Sequence, residues 1–99
     1  MALQISKIDK VFTLSGRLGA NQIFAIRDFF VYKLRDEDQL IISLAELDDL
    51  DLSAALMFKS LKGQAFRINK SLTVFTGKNR KILGPFRKLE DQRVLSAAA

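Results

Sequence analysis

The side chains of this 99-residue chain that could do chemistry fall into two runs. One is acidic: Glu46, Asp48, Asp49 and Asp51, followed by Ser53. Carboxylates crowded in this way are the oxygen ligands that Ca²⁺ and Mg²⁺ prefer. Leu47, Leu50 and Leu52 interrupt the run, however, and it lacks the spacing and the glycine of a calcium loop. Solvated acids around the start of a helix account for it without an ion, so neither a metal nor any other cofactor is assigned. No pair of acids stands at a spacing that suggests glycoside hydrolysis. The other run is basic: Lys78, Arg80 and Lys81, then Arg87, Lys88 and Arg93. Gly77-Lys78-Asn79-Arg80-Lys81 follows an apolar stretch, but it has neither the glycine spacing of a phosphate-binding loop nor the hydroxyl residue after the lysine. Binding of nucleic acid or an anionic surface through this end is the alternative reading. No aromatics interleave the charges to stack bases, and Phe75 and Phe86 read as core.

Two absences narrow the chemistry further. The chain has no His, which removes the commonest general base and the commonest neutral metal ligand. It has no Cys, which removes disulfides, thiolate zinc sites and thiol catalysis and fits a reducing compartment. Neither a Ser-His-Asp nor a Cys-His site can be built, and the reading is that the chain is not an enzyme. MALQISKIDK has no continuous apolar stretch of the secretory kind, and no run approaches the ~20 apolar residues of a membrane span. A cytoplasmic location is expected.

The net charge of +5 is unevenly placed. Residues 1–51 carry six basic and nine acidic side chains, a balance of −3, whereas residues 52–99 carry ten basic and two acidic, a balance of +8. Such a split points to an electrostatic face, although a solubilising surface can be sorted the same way.

These residues need elements to hold them. At 48% hydrophobic and 27% charged, the chain can fold as one domain over residues 1–99, with a core of about 3–90 and a frayed tail at 91–99. Leu3, Ile5 and Ile8, then Val11, Phe12 and Leu14, form a tight hairpin with Lys10 near its turn. GRLGAN, residues 16–21, reads as a loop from which Asn21 caps a helix over 22–34. Ile23, Ile26, Phe30 and Leu34 make that helix's buried stripe. Phe24, Phe29 and Val31 lie outside the stripe and offer a face for a homodimer. After the polar loop 35–38, Leu40 to Ala45 reads as a strand covered on both faces. Residues 46–51 (ELDDLD) read as an acidic loop at its carboxyl end, and Asp51 or Ser53 caps a second helix. Its stripe is Ala54, Met57, Phe58, Leu61, Ala65 and Ile68. Gly63 within it costs about 1 kcal/mol relative to Ala, which a close helix crossing would explain. Residues 71–76 form a further strand, Arg80 to Leu83 a short helix broken by Gly84-Pro85, and Phe86 and Leu89 start a last helical turn. The expected fold is α/β, order β-β-α-β-α-β-α, with a mixed sheet of four to five strands and right-handed crossovers between the parallel ones.

This order, and three stretches within it, resemble the STAS domain of bacterial anti-sigma factor antagonists. VFTLSG, residues 11–16, looks like the family's strand-then-glycine opening. LIISLAELDDLDLSAALMFKSL, residues 40–61, looks like its apolar strand, loop and amphipathic helix, with Ser43 at the strand's polar position and Asp51-Leu52-Ser53-Ala54 at the signature tetrad. Asn69 to Phe75 looks like the small-residue turn and next strand. The resemblance covers roughly residues 3–90 and implies a signalling or transcription-regulating module that binds protein. In the family, the tetrad's first hydroxyl residue is phosphorylated by a partner kinase, and docking is then blocked. Leu52 stands at that position here and has no hydroxyl. Ser53 becomes the phosphosite only if the register slips by one, and its ordinary role is an N-cap. The resemblance therefore implies a module without the usual switch. It would dock through Asp49, Asp51, Leu52 and Ser53 and through Leu56, Lys59, Ser60 and Lys62 on the open side of the helix. Its partner would be an anti-sigma-type kinase, a signalling complex or a transporter ATPase.

Overall fold

The computed structural model describes residues 2–82 and Gly84. β1 (Gln4–Ile8) and β2 (Val11–Leu18) form the expected antiparallel hairpin. Ile8 pairs directly with Val11, so Asp9 and Lys10 alone make the turn, and Asp9 takes a positive φ of 56°. α1 (Ile23–Asp36), β3 (Gln39–Leu50), α2 (Leu52–Arg67) and β4 (Ser71–Phe75) follow. The four strands lie in chain order, β1-β2-β3-β4, with β2, β3 and β4 parallel. The element order read from the sequence holds through β4.

One face of the sheet carries the core. Ile5, Phe12, Leu14, Leu40, Ile42, Leu44, Leu72 and Val74 share it, because the strand register aligns them and side chains alternate along each strand. α1 and α2 pack on this face and against each other, contributing Ile26, Phe30 and Leu34 from α1 and Ala54, Ala55, Met57, Phe58, Leu61 and Ala65 from α2. Phe12, Phe29 and Phe30 meet edge to face, with ring centroids 5.1–5.8 Å apart. Ser43 is buried on the opposite face of β3.

Several local expectations are overturned. Residues 16–18 are not loop: β2 continues through Leu18, and Gly16, at a φ of 91°, accommodates a register shift there. Asn21 does not cap α1; a 3₁₀ turn (Ala20–Gln22) leads into the helix, and the Gln22 side chain accepts from the Gly19 amide at 3.0 Å. Phe29 and Val31 are half-buried against the core, so of the proposed dimer face only Phe24 stands free, 68% exposed. Ile68 lies past the end of α2 and is exposed, and Phe75 is exposed rather than core. Among the described residues no close crossing explains Gly63, since a Cβ there would meet nothing within 4 Å. Arg80 to Ile82 are turn and bend rather than helix, while Leu83, Phe86, Leu89 and the tail 91–99 lie outside the described residues.

The fully buried Phe30 and the exposed Phe24 give a paired test of this core. Phe30→Ala is expected to lower stability by about 3–5 kcal/mol, and Phe24→Ala to stay within about 0.5 kcal/mol, in urea unfolding followed by circular dichroism.

Candidate functional site

The acidic residues 46–50 are the last part of β3, not a loop. Two register shifts, between Thr13 and Ser15 and between Gly16 and Arg17 on β2, each give β3 one extra residue. The buried positions on β3 accordingly run Leu40, Ile42, Leu44, then Leu47 and Leu50: steps of two, then of three. Because β3 keeps its pairing with β2 to Leu50, the chain enters α2 at a defined point, with the Asp51 amide donating to Leu18 O at 3.2 Å.

β4 pairs with β3 only as far as Ser43, so the carbonyls of the bulged segment need other partners. Asn79 supplies them: its Nδ2 donates to Leu44 O at 2.9 Å and to Leu47 O at 2.8 Å, and its Oδ1 accepts from the Lys81 amide at 3.0 Å. Gly77 makes this return possible. It has a φ of 61°, and a Cβ there would sit 3.2 Å from the Phe75 ring and 3.3 Å from Ala45. In the sequence Asn79 stands only as one residue of the basic run 77–81. A carboxamide two residues after a turn glycine was its only mark, and nothing local shows that two distant carbonyls lack partners.

The carboxylates have separate tasks. Asp48 pairs with Lys81 at 3.2 Å, and Asp49 pairs with Arg17 at 3.5 Å and accepts from the Leu50 amide. Asp51 is the N-cap of α2, accepting from the Ser53 amide at 3.1 Å and from the Ser53 hydroxyl. Those two bonds, the hydroxyl's first, hold its pKa below the ordinary carboxylate value, against a small opposing effect of desolvation. Among the described residues no three potential ligands gather as a metal site.

Beyond the cap, α2 turns its second face outward. Leu52 is 39% and Leu56 46% exposed, one helical turn apart on the same side. Lys59, Ser60 and Gly63 continue that side, ending at Phe66, 81% exposed, and Arg67. Ser53 and Lys62 are half-buried at its two flanks. α2 contains no acidic residue. Thus the structure brings Asp49, Asp51, Leu52, Ser53 and Leu56 together at one end and places Lys59 and Ser60 along the same side. Phe66 was not among the residues read from the sequence as part of this side, although helical spacing from Leu52 and Leu56 would have found it. Of the basic run, Lys78 and Arg80 are exposed, Lys81 is engaged by Asp48, and Arg87, Lys88 and Arg93 lie outside the described residues. Among the described residues no helix is long and apolar enough to cross a membrane.

No family model matches this sequence, and no curated protein does. A solved structure does: the anti-sigma factor antagonist SpoIIAA in its unphosphorylated form superposes with a TM-score of 0.72, at 14% identity, over 99% of this chain and 89% of that one. The chain therefore has the STAS fold, a four-stranded mixed sheet with two helices on it.

Two variants check the site's construction. Asn79→Ala is expected to lower stability by about 1–3 kcal/mol in chemical denaturation, because two backbone carbonyls lose their donor. Ser53→Ala is expected to raise the pKa of Asp51 towards the ordinary carboxylate value, followed by NMR titration of its side-chain carboxyl. In the native protein this carboxylate's contribution to stability is full above the unfolded-state pKa and is lost as pH falls through the lower folded value.

Proposed function

We propose that this chain is a non-catalytic regulatory module of the cytoplasm. It docks a partner protein through the N-terminal end and open side of α2, and it does so without a phosphoserine switch. The observation that carries this reading is the exposed pair Leu52 and Leu56 beside the Asp51–Ser53 cap. Two neighbouring exposed leucines on a helix that already buries its other face against the core favour an interaction site. The STAS fold, shared with an anti-sigma factor antagonist, supports the same reading. An anti-sigma-type kinase, a signalling complex or a transporter ATPase are the partner classes that fit.

The local chemistry argues against the switch. Leu52, at the position where the resemblance places the phosphoacceptor, has no hydroxyl. Ser53 has one, but it donates to the Asp51 carboxylate. A phosphate on Ser53 would lose that hydrogen bond and set two anionic groups side by side, and like charges at this distance repel. Docking is therefore constitutive and regulated by the amount or availability of the partner.

Affinity capture from the native cell tests the docking site. A protein retained by the wild type is expected to bind about tenfold or more weakly to Asp51→Lys and to Leu56→Asp. Unchanged capture by both variants would show the docking site to be elsewhere. In the same preparation, incubation with ATP and any captured kinase is expected to leave the intact mass unaltered, and a mass increment of one phosphate would refute constitutive docking.

A further inference from the structure

At the opposite end of the helices, a cleft of about 340 Å³ opens between the C-terminal turns of α1 and α2. Val31, Leu34 and Ile68 form its apolar walls, and Arg35, Arg67 and Lys70 stand around it, with no carboxylate among the described lining side chains. Asp36, Glu37 and Asp38 follow Arg35 in the chain, but none lines the cleft, and Glu37 is turned to Lys7 at 3.6 Å. We propose that this cleft binds a free single-chain anionic amphiphile, with its head group on Arg35 and Arg67 and its chain against Val31, Leu34 and Ile68.

Two helix C-termini would ordinarily repel an anion, because their free carbonyls carry partial negative charge. Here that charge is answered. The Lys70 ammonium donates to Leu34 O and, at 3.2 Å, to Arg35 O, so the last carbonyls of α1 have a cation on them. The Lys70 amide closes the end of α2 on Ala65 O at 2.8 Å. Arg35 and Arg67 remain exposed, and among the described residues neither is in an ion pair. Arg35 lies over the Tyr32 ring at 5.8 Å, which leaves its N–H fork available to a carboxylate. The cleft is at the small end of the range for small-molecule sites. It offers far less than the roughly 800 Å² per side of a protein interface, and it lacks the long apolar face by which a helix lies on a membrane. An apolar floor under guanidinium groups is therefore matched to a chain with one anionic head.

The test uses the full chain and sodium decanoate kept below its micelle concentration. Calorimetric titration is expected to show saturable one-to-one binding. The double variant Arg35→Gln/Arg67→Gln is expected to weaken it about tenfold or more, with the melting temperature unchanged because both side chains are exposed. Decan-1-ol, which has the chain without the charge, is expected to bind about tenfold more weakly than decanoate. Val31→Trp, which fills the cleft, is expected to abolish binding while circular dichroism reports the native fold. Absence of saturable binding overturns the proposal, as does equal affinity for the alcohol or indifference to the arginine change. Retention on phosphatidylglycerol vesicles without binding of free decanoate would make the site a membrane contact and overturn it too.

Discussion

The pairing of β3 with β2 runs on past the end of β4, and the geometry at the start of α2 depends on that extension. β4 leaves β3 at Ser43, yet β3 stays hydrogen-bonded to β2 until Leu50 faces Leu18. Two bulges keep Leu44, Leu47 and Leu50 in the core while the pairing continues. They also leave carbonyls that β4 cannot reach, and Asn79 closes two of them from the other side. Because an unpaired buried carbonyl is expensive, this one carboxamide binds the turn after β4 to the strand that launches α2. The Lys81–Asp48 ion pair lies at the same junction, but exposed pairs of this kind contribute little.

From that fixed origin, α2 divides its sequence between two surfaces. One buries small residues at its ends and large ones between, with Ala54, Ala55 and Ala65 allowing a close approach while Met57, Phe58 and Leu61 fill the space. The other shows Leu52, Leu56 and Phe66 among lysines and an arginine, with Gly63 open to solvent. A glycine inside a helix is unfavourable relative to alanine, and among the described residues neither packing nor backbone conformation accounts for this one. The two ends of the helix differ in charge as well. The N-terminal end is bordered by Asp49 and Asp51, and the C-terminal end by Arg67 and Lys70. Part of the charge asymmetry along the chain thus falls at the two ends of one helix.

Much of the architecture was legible in the chain itself. Periodicity marks α1 through Ile26, Phe30 and Leu34, and the apolar run Leu40 to Leu44 marks the central strand, because these residues answer to the nearest-neighbour geometry of a helix or a strand. The N-cap at Asp51 was legible for the same reason: its partner, Ser53, is two residues away. Leu56, Lys59 and Ser60 were also placed on the open side, where they are exposed, since a helix whose buried stripe is known has a known reverse.

Sequence alone thus determined the order of the two helices and four strands, the centre of each, and which face of α2 points outward, because each follows from contacts a few residues apart. Tertiary structure decided whatever depends on partners distant in the chain. It turned residues 46–50 from loop into bulged strand, since a step of three between buried leucines fits a strand only where a bulge takes up the extra residue. It half-buried Phe29 against Phe12 of β2 and set Val31 partly against the core and partly in the cleft between the helix ends. It made Asn79 a structural tie across more than thirty residues and grouped Arg35, Arg67 and Lys70 around one cleft. No local pattern encodes such meetings, because they are set by where the sheet brings the ends of its helices and strands together.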